Sequence, residues 1–271
     1  MKIRTKSKLE EHILSHLTSE GEFLDLEDKN VTPEHLRLLC QAGETLQKVK
    51  QLDLSNNGLG NAEIELLSKS RCLPKLEKLF LNHNKISDSG AKILAESKLV
   101  QNISCLMLEA NQIGVNGAQS LATSLNLKNL ETLFLDSNPI GPEGAEALAR
   151  STCLPSLTAL HMDSTGIGDQ GVKAIAASQT LSKIKKLYLC SNKIGDEGAI
   201  ALSQSPNLSH LTCLSIWRNE IRDAGGKAIA ESNHFLKLER LYMSLNLIEK
   251  PTRKLIRASD MASRLKTLVM D

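Results

Sequence analysis

The chain has 271 residues, of which 41% are apolar and 24% charged, an ordinary balance for a globular protein with material enough for a continuous core. Its basic and acidic side chains nearly cancel, leaving a formal net charge of +2, so the whole-chain balance gives no footprint for nucleic acid or an anionic membrane. No apolar run approaches the roughly 20 residues that span a bilayer.

The start, Met1-Lys2-Ile3-Arg4-Thr5-Lys6, is basic, but polar and charged residues come next where a secretory signal needs an apolar stretch. A cytoplasmic location is expected, or delivery into a host cytosol by another route. Cys40, Cys72, Cys105, Cys153, Cys190 and Cys213 lie far apart, with neither zinc-site spacing nor disulfide density, which suits free thiols in a reducing compartment. The glycosylation triplets at Asn102 and Asn207 carry little weight without a secretory route.

The spacing of Leu9, Ile13, Leu14 and Leu17 predicts a helix over 8–19 that shields the first coil of a repeat array. Residues 1–22 therefore read as a cap and 23–271 as one repeat domain. A first unit, Leu24-Asp25-Leu26 with Lys29, is degenerate. The reference unit is Leu52-Asp53-Leu54-Ser55-Asn56-Asn57-Gly58-Leu59, and its pattern returns at 79–86, 106–113, 133–140, 160–167, 187–194, 214–221 and 241–248. Asn57, Asn84, Asn111, Asn138, Asn192, Asn219 and Asn246 hold one position at multiples of 27 residues; Thr165 breaks the column. Leu268-Val269-Met270 begins another unit.

Each unit has two periods. Alternation, as in Leu79-Phe80-Leu81, predicts a short strand with leucines on one face. Pairs such as Gly117-Ala118 and Leu121-Ala122, three and four apart, predict a helix with a small and apolar stripe. The asparagine between the halves can satisfy backbone groups left unpaired by neighbouring coils. Such coils gain stability only by stacking, which predicts an α/β solenoid with a parallel concave sheet and convex helices.

Residues between the strand leucines face the concavity. The central column runs Asp53, Phe80, Met107, Phe134, His161, Tyr188, Ser215, Tyr242, Val269; the next runs Ser55, Asn82, Glu109, Asp136, Asp163, Cys190, Trp217, Ser244, Asp271. Of the chain's four phenylalanines, two tyrosines and one tryptophan, five sit in these columns, where chance would place about half of one; aromatics and methionine concentrate at interface cores. Glu109, Asp136 and Asp163 add an acidic zone, as do Asp25, Glu27, Asp28 and Asp53 in the first coils. Lys186, Arg218 and Arg240 stand near the other end of the sheet. Opposed zones along one groove orient a partner. The alternatives are a solvated charged surface and an ion on the three carboxylates, disfavoured because in-register carboxylates repel. Cys190, His161 and Asp163 have the residue types of a cysteine nucleophile, base and orienter, but strand spacing and rise set the backbones of Cys190 and His161 about 8 Å apart, which leaves Cys190 as a surface or interface thiol.

The phrase Leu187-Tyr188-Leu189-Cys190-Ser191-Asn192-Lys193-Ile194-Gly195-Asp196-Glu197-Gly198-Ala199 resembles the ribonuclease-inhibitor type of leucine-rich repeat, and the resemblance covers nearly everything after residue 20. It implies a horseshoe that grips a protein in its concavity, as do ribonuclease inhibitors, the activator of the Ran GTPase and effectors of intracellular bacterial pathogens. Uniform 27-residue units differ from the alternating lengths of ribonuclease inhibitors, so ribonuclease is not inferred as the target. The expectation is a non-enzymatic scaffold, monomeric when free, binding a protein partner, an enzyme that it inhibits, through Phe80, Met107, Glu109, Phe134, Asp136, His161, Asp163, Tyr188, Trp217, Arg218, Arg240 and Tyr242. No cofactor, metal, nucleic acid or membrane is expected. The alternatives are a GTPase activator of the Ran-activator type and an adaptor that does not inhibit.

Overall fold

Three extended residues open each coil, in most of them one buried side chain between two that are at least partly exposed, because successive side chains of a strand point to opposite faces. The computed structural model describes residues 8–41 and 43–271; residues 1–7 of the expected cap, and the side chain of Leu9, lie outside the described residues. The strands are β1 (Phe23–Asp25), β2 (Gln51–Asp53), β3 (Lys78–Phe80), β4 (Cys105–Met107), β5 (Thr132–Phe134), β6 (Ala159–His161), β7 (Lys186–Tyr188), β8 (Cys213–Ser215), β9 (Arg240–Tyr242) and β10 (Thr267–Val269). They form one parallel sheet in chain order, in which the strand leucines stand side by side, Leu106 beside Leu133 and Leu187 beside Leu214.

Helices run behind the strands: α1 (Lys8–Ser15), α2 (Pro33–Gln41), α3 (Asn61–Ser68), α4 (Asp88–Glu96), α5 (Val115–Ala122), α6 (Gly141–Ala149), α7 (Gly168–Ala177), α8 (Asp196–Ser203), α9 (Asp223–Ala230), α10 (Lys250–Arg257) and α11 (Asp260–Arg264). Their small residues face inward; in α5 Gly117, Ala118, Leu121 and Ala122 are buried. The core lies between sheet and helices and is continuous from Ile13 to Met261. Phe235 takes one of the loop positions that leucine fills in earlier coils, and is fully buried. None of the described helices is long and apolar enough to cross a membrane, and all six cysteines are free thiols.

The first helix is shorter than the 8–19 expected, ending at Ser15. The chain has to reverse into β1, and residues 16–18 are spent on that edge: Asp25 N–H donates to His16 O at 3.1 Å, Thr18 N–H to Phe23 O at 2.9 Å, and Gly21 turns with φ of 73°. Leu17 thereby bridges Leu24 and covers part of the open side of β1.

Side-chain ladders tie successive coils. Asn84 donates from Nδ2 to the carbonyls of Leu54 and Leu81, both at 3.0 Å, while its Oδ1 accepts Leu59 N–H at 2.8 Å. Asn111 and Asn219 bond in the same way. At Thr165 the ladder is interrupted: Oγ1 reaches its own coil's Met162 O at 2.6 Å, and Ile140 N–H in the preceding coil turns to Asn138 O. That coil closes through Gly141 at φ of 66°, a conformation that a Cβ disfavours.

A second ladder caps the helices from the preceding coil. Asp88 Oδ1 accepts from Gly114 N–H at 2.6 Å and Gly117 N–H at 2.9 Å, and Asp169 and Asp196 repeat the arrangement. A carboxylate there satisfies orphan donors and suits the positive end of the helix dipole. A third ladder runs along the helix ends, where Ser124, Ser151, Ser178 and Ser205 each donate to a carbonyl 29 residues earlier at 2.5 Å. Neither the aspartate nor the serine ladder is among the expectations drawn from sequence, although both recur at the 27-residue period.

Candidate functional site

Three side-chain columns line the concave sheet, because a strand exposes every second residue. Besides the two columns predicted from sequence, a third stands at the strand starts and includes Lys78, Cys105, Thr132, Lys186, Cys213 and Arg240. Its signal in the sequence was the same alternation carried two residues further back.

The central column brings the predicted aromatics together. Phe134, His161 and Tyr188 are in register on β5, β6 and β7. Phe134 stacks on His161 with ring centroids 3.8 Å apart and planes at 26°, and His161 on Tyr188 at 4.1 Å and 13°. Stacking along the strand-to-strand direction turns the ring edges toward the groove. Phe80 and Met107 continue the column on one side; on the other, buried Ser215 separates Tyr188 from Tyr242. Trp217, two residues after Ser215 in the next column, is 37% exposed.

Burial sets the protonation of this strip. His161 is pushed down to about 4 by burial and by Lys186, so it is neutral at physiological pH and the stack is uncharged. Burial raises the Tyr188 hydroxyl to about 12, and it keeps its proton.

The next column is less open than its alternation suggested. Ser55, Cys190 and Ser244 are buried. Cys190, expected as a surface or interface thiol, is only 8% exposed, with Sγ against Ser215 Oγ at 3.0 Å. Burial pushes this thiol up to about 11, which opposes a nucleophilic thiolate. The carboxylates are tethered as well: Asp136 Oδ1 accepts Asp163 N–H, and Asp163 Oδ1 accepts Cys190 N–H, both at 2.6 Å. Asn82 does the same for Glu109 N–H at 2.9 Å. These side chains thus cap the neighbouring strand as well as facing the groove.

Burial, then the neighbouring carboxylates Asp163 and Glu109, raise Asp136 to about 7; burial also raises Asp163. Glu109, Asp136 and Asp163 do not converge on an ion. The carboxylates that come within 4.8 Å of one another, among the described residues, are Asp25, Glu27 and Asp53. Arg218 lies outside the strand columns, exposed on the rim at φ of 55°, because the chain turns there toward the helix.

Because Asp136 is more basic folded than unfolded, its contribution to stability is complete below its unfolded value near 4 and is lost as pH rises through about 7. Asp136→Asn retains an acceptor oxygen and removes the charge. It is expected to be nearly neutral at about pH 4 and to stabilise the fold by about 2–3 kcal/mol at about pH 8, after allowance for partial exposure. Urea unfolding at the two pH values measures this; destabilisation at the higher pH would mean that the ionised carboxylate is well solvated or paired.

The surface hollows of this chain include open grooves on the helix side, one of about 430 Å³ lined by Val115, Gln119, Glu143 and Arg150. A family model described as Leucine Rich repeat matches residues 45–65, 72–95, 126–149, 153–176, 180–203 and 207–230, more than half of the chain. The comparison with curated proteins finds no match.

Proposed function

The chain belongs to the leucine-rich-repeat family, and from that premise we propose that it is a non-catalytic scaffold that engages a partner protein, an enzyme, on its concave sheet and blocks it. Scaffolds of this family typically bind proteins, but fold alone does not assign a function. The observation that carries the reading is the uncharged stack of Phe134, His161 and Tyr188 on the groove surface, with Trp217 exposed beside it. The opposite face of the same strands is filled by leucine, which already supplies the core. Strand propensity alone does not sort rings onto the groove side, whereas interface hot spots are rich in tyrosine and tryptophan. In this reading residues 1–22 cap the solenoid, 23–271 carry the binding face, the protein is monomeric when free, and the free thiols suit a reducing compartment.

The test is affinity capture from native lysate with the wild-type chain beside a Phe134→Ala, Tyr188→Ala, Trp217→Ala variant, followed by activity assays of the captured partner. The variant is expected to keep its circular dichroism and to lose about 2 kcal/mol or more of binding, roughly thirtyfold. Equal losses from Lys92→Ala with Glu143→Ala on the helix side would overturn the concave assignment. Binding without loss of the partner's activity would leave a scaffold and remove the inhibitor.

A further inference from the structure

At the strand starts, Lys186, Cys213 and Arg240 stand in register on β7, β8 and β9. With strands about 4.8 Å apart, the two cationic residues are separated at the backbone by about 10 Å. Tyr188 leans across the interval, its Oη 3.6 Å from Cys213 Sγ and accepting from that thiol. The hydroxyl proton of Tyr188 is therefore free to be donated.

Among the described residues, neither cation has a counter-ion: Lys186 and Arg240 make no ion pair and no side-chain hydrogen bond, and Arg240 Nε is enclosed without a partner. The nearby Glu239 is engaged with Lys266 at 2.9 Å. The groove carboxylate nearest in sequence register, Asp163, lies at the opposite end of its strand and is bound to Cys190 N–H. The enclosed Nε is shut off from an incoming acceptor, whereas the terminal Nη groups of Arg240 are neither enclosed nor bonded among the described residues; their paired N–H donors match the geometry of a carboxylate.

We propose that the partner presents an acidic segment to this groove, with an aspartate or glutamate carboxylate received by Arg240 and the Tyr188 hydroxyl and a second one by Lys186. This rests on the concave face being the binding surface. Two cations two strands apart suit separate carboxylates on one segment better than a compact phosphate, whose donors must converge. The column of Glu109, Asp136 and Asp163 at the other end of the strands offers that segment no cation and so favours its placement at the strand starts.

The test uses the full chain with nitrogen-15-labelled arginine, the Arg240 Nε–H signal being the one missing from Arg240→Lys. Hexaglutamate, hexalysine and inorganic phosphate are titrated separately at low salt. Hexaglutamate is expected to shift the Arg240 signal saturably, with affinity reduced about fivefold or more by Lys186→Gln, while hexalysine leaves it unmoved. The proposal is overturned if hexaglutamate leaves the signal in place, if Lys186→Gln binds as well as wild type, or if phosphate saturates at lower concentration. Circular dichroism of Lys186→Gln and Arg240→Lys confirms that both fold. Loss of partner capture in a Phe134→Ala, Trp217→Ala variant, which keeps the Tyr188 hydroxyl, together with an inert hexaglutamate would keep the concave reading and discard the acidic segment; retained capture in that variant with a responsive Arg240 would do the reverse for the aromatic strip.

Discussion

Asn138→Ala is expected to cost the fold about 3–5 kcal/mol, because it strands several buried backbone groups, each worth about 1–3 kcal/mol when unpaired. Asn138 is 1% exposed. Its Nδ2 donates to Leu108 O at 2.8 Å, Leu135 O at 3.1 Å and Asp136 O at 3.2 Å, and its Oδ1 accepts Ile113 N–H at 3.0 Å. Two of these partners belong to the preceding coil, so the substitution weakens the stacking on which that coil depends. Thr165→Ala at the equivalent place removes a shorter reach, one hydroxyl between Met162 O and Asn192 Oδ1, and is expected to cost about 1–2 kcal/mol. Urea unfolding followed by circular dichroism compares the two. Equal costs would show that ordered water replaces the amide and that the ladder contributes little.

Gly117→Val is expected to cost about 2–4 kcal/mol by overpacking and to split unfolding into two steps. A Cβ on Gly117 would lie 2.6 Å from Ile113 Cγ2, 2.7 Å from Asp88 Oδ1 and 3.1 Å from Asp88 Cα. The last of these is backbone, so side-chain rotation cannot relieve it and α4 and α5 have to separate. Their separation also stretches the bonds from Asp88 to Gly114 and Gly117. In a stack held by nearest-neighbour contacts, one weakened junction lets the coils before it unfold apart from those after it. Gly60→Ala is the control, since its Cβ meets only the flexible carboxylate of Glu63 at 3.4 Å. Calorimetry distinguishes the outcomes: a single sharp transition at unchanged temperature for Gly117→Val would mean that the coils slide past the added methyls.

The ladders differ in how visible they are in sequence. The asparagine column announces itself because one residue type recurs in a fixed phrase. The aspartates that cap the next coil's helix recur at Asp88, Asp169, Asp196 and Asp223 but are absent at Val115 and Pro142, and Pro142 instead supplies an N-terminal proline to α6. A column with such gaps reads as ordinary helix-start chemistry until the neighbouring coil is in place.

The groove divides in the same way. Alternation alone placed Phe134, His161 and Tyr188 on one face, because the side-chain direction of a strand is a local steric property. It could not tell that Asp136 and Asp163 are each held by the next strand's N–H, that Cys190 is covered, or that Arg218 leaves the sheet for the rim. Those outcomes depend on which side chains stand one strand away and how far they reach.

The sequence by itself therefore determined the period, the strand and helix halves, the buried leucine face and the parallel stacking, since each arises from spacing within one coil and its return in the next. Only the tertiary structure decided the ring stack, the neutral His161, the raised Asp136 and the placing of Lys186 and Arg240 without an ion pair among the described residues. These arise from contacts between residues 27 or 54 positions apart, where lateral strand spacing and the size of the intervening side chain, as at Ser215, set both geometry and burial.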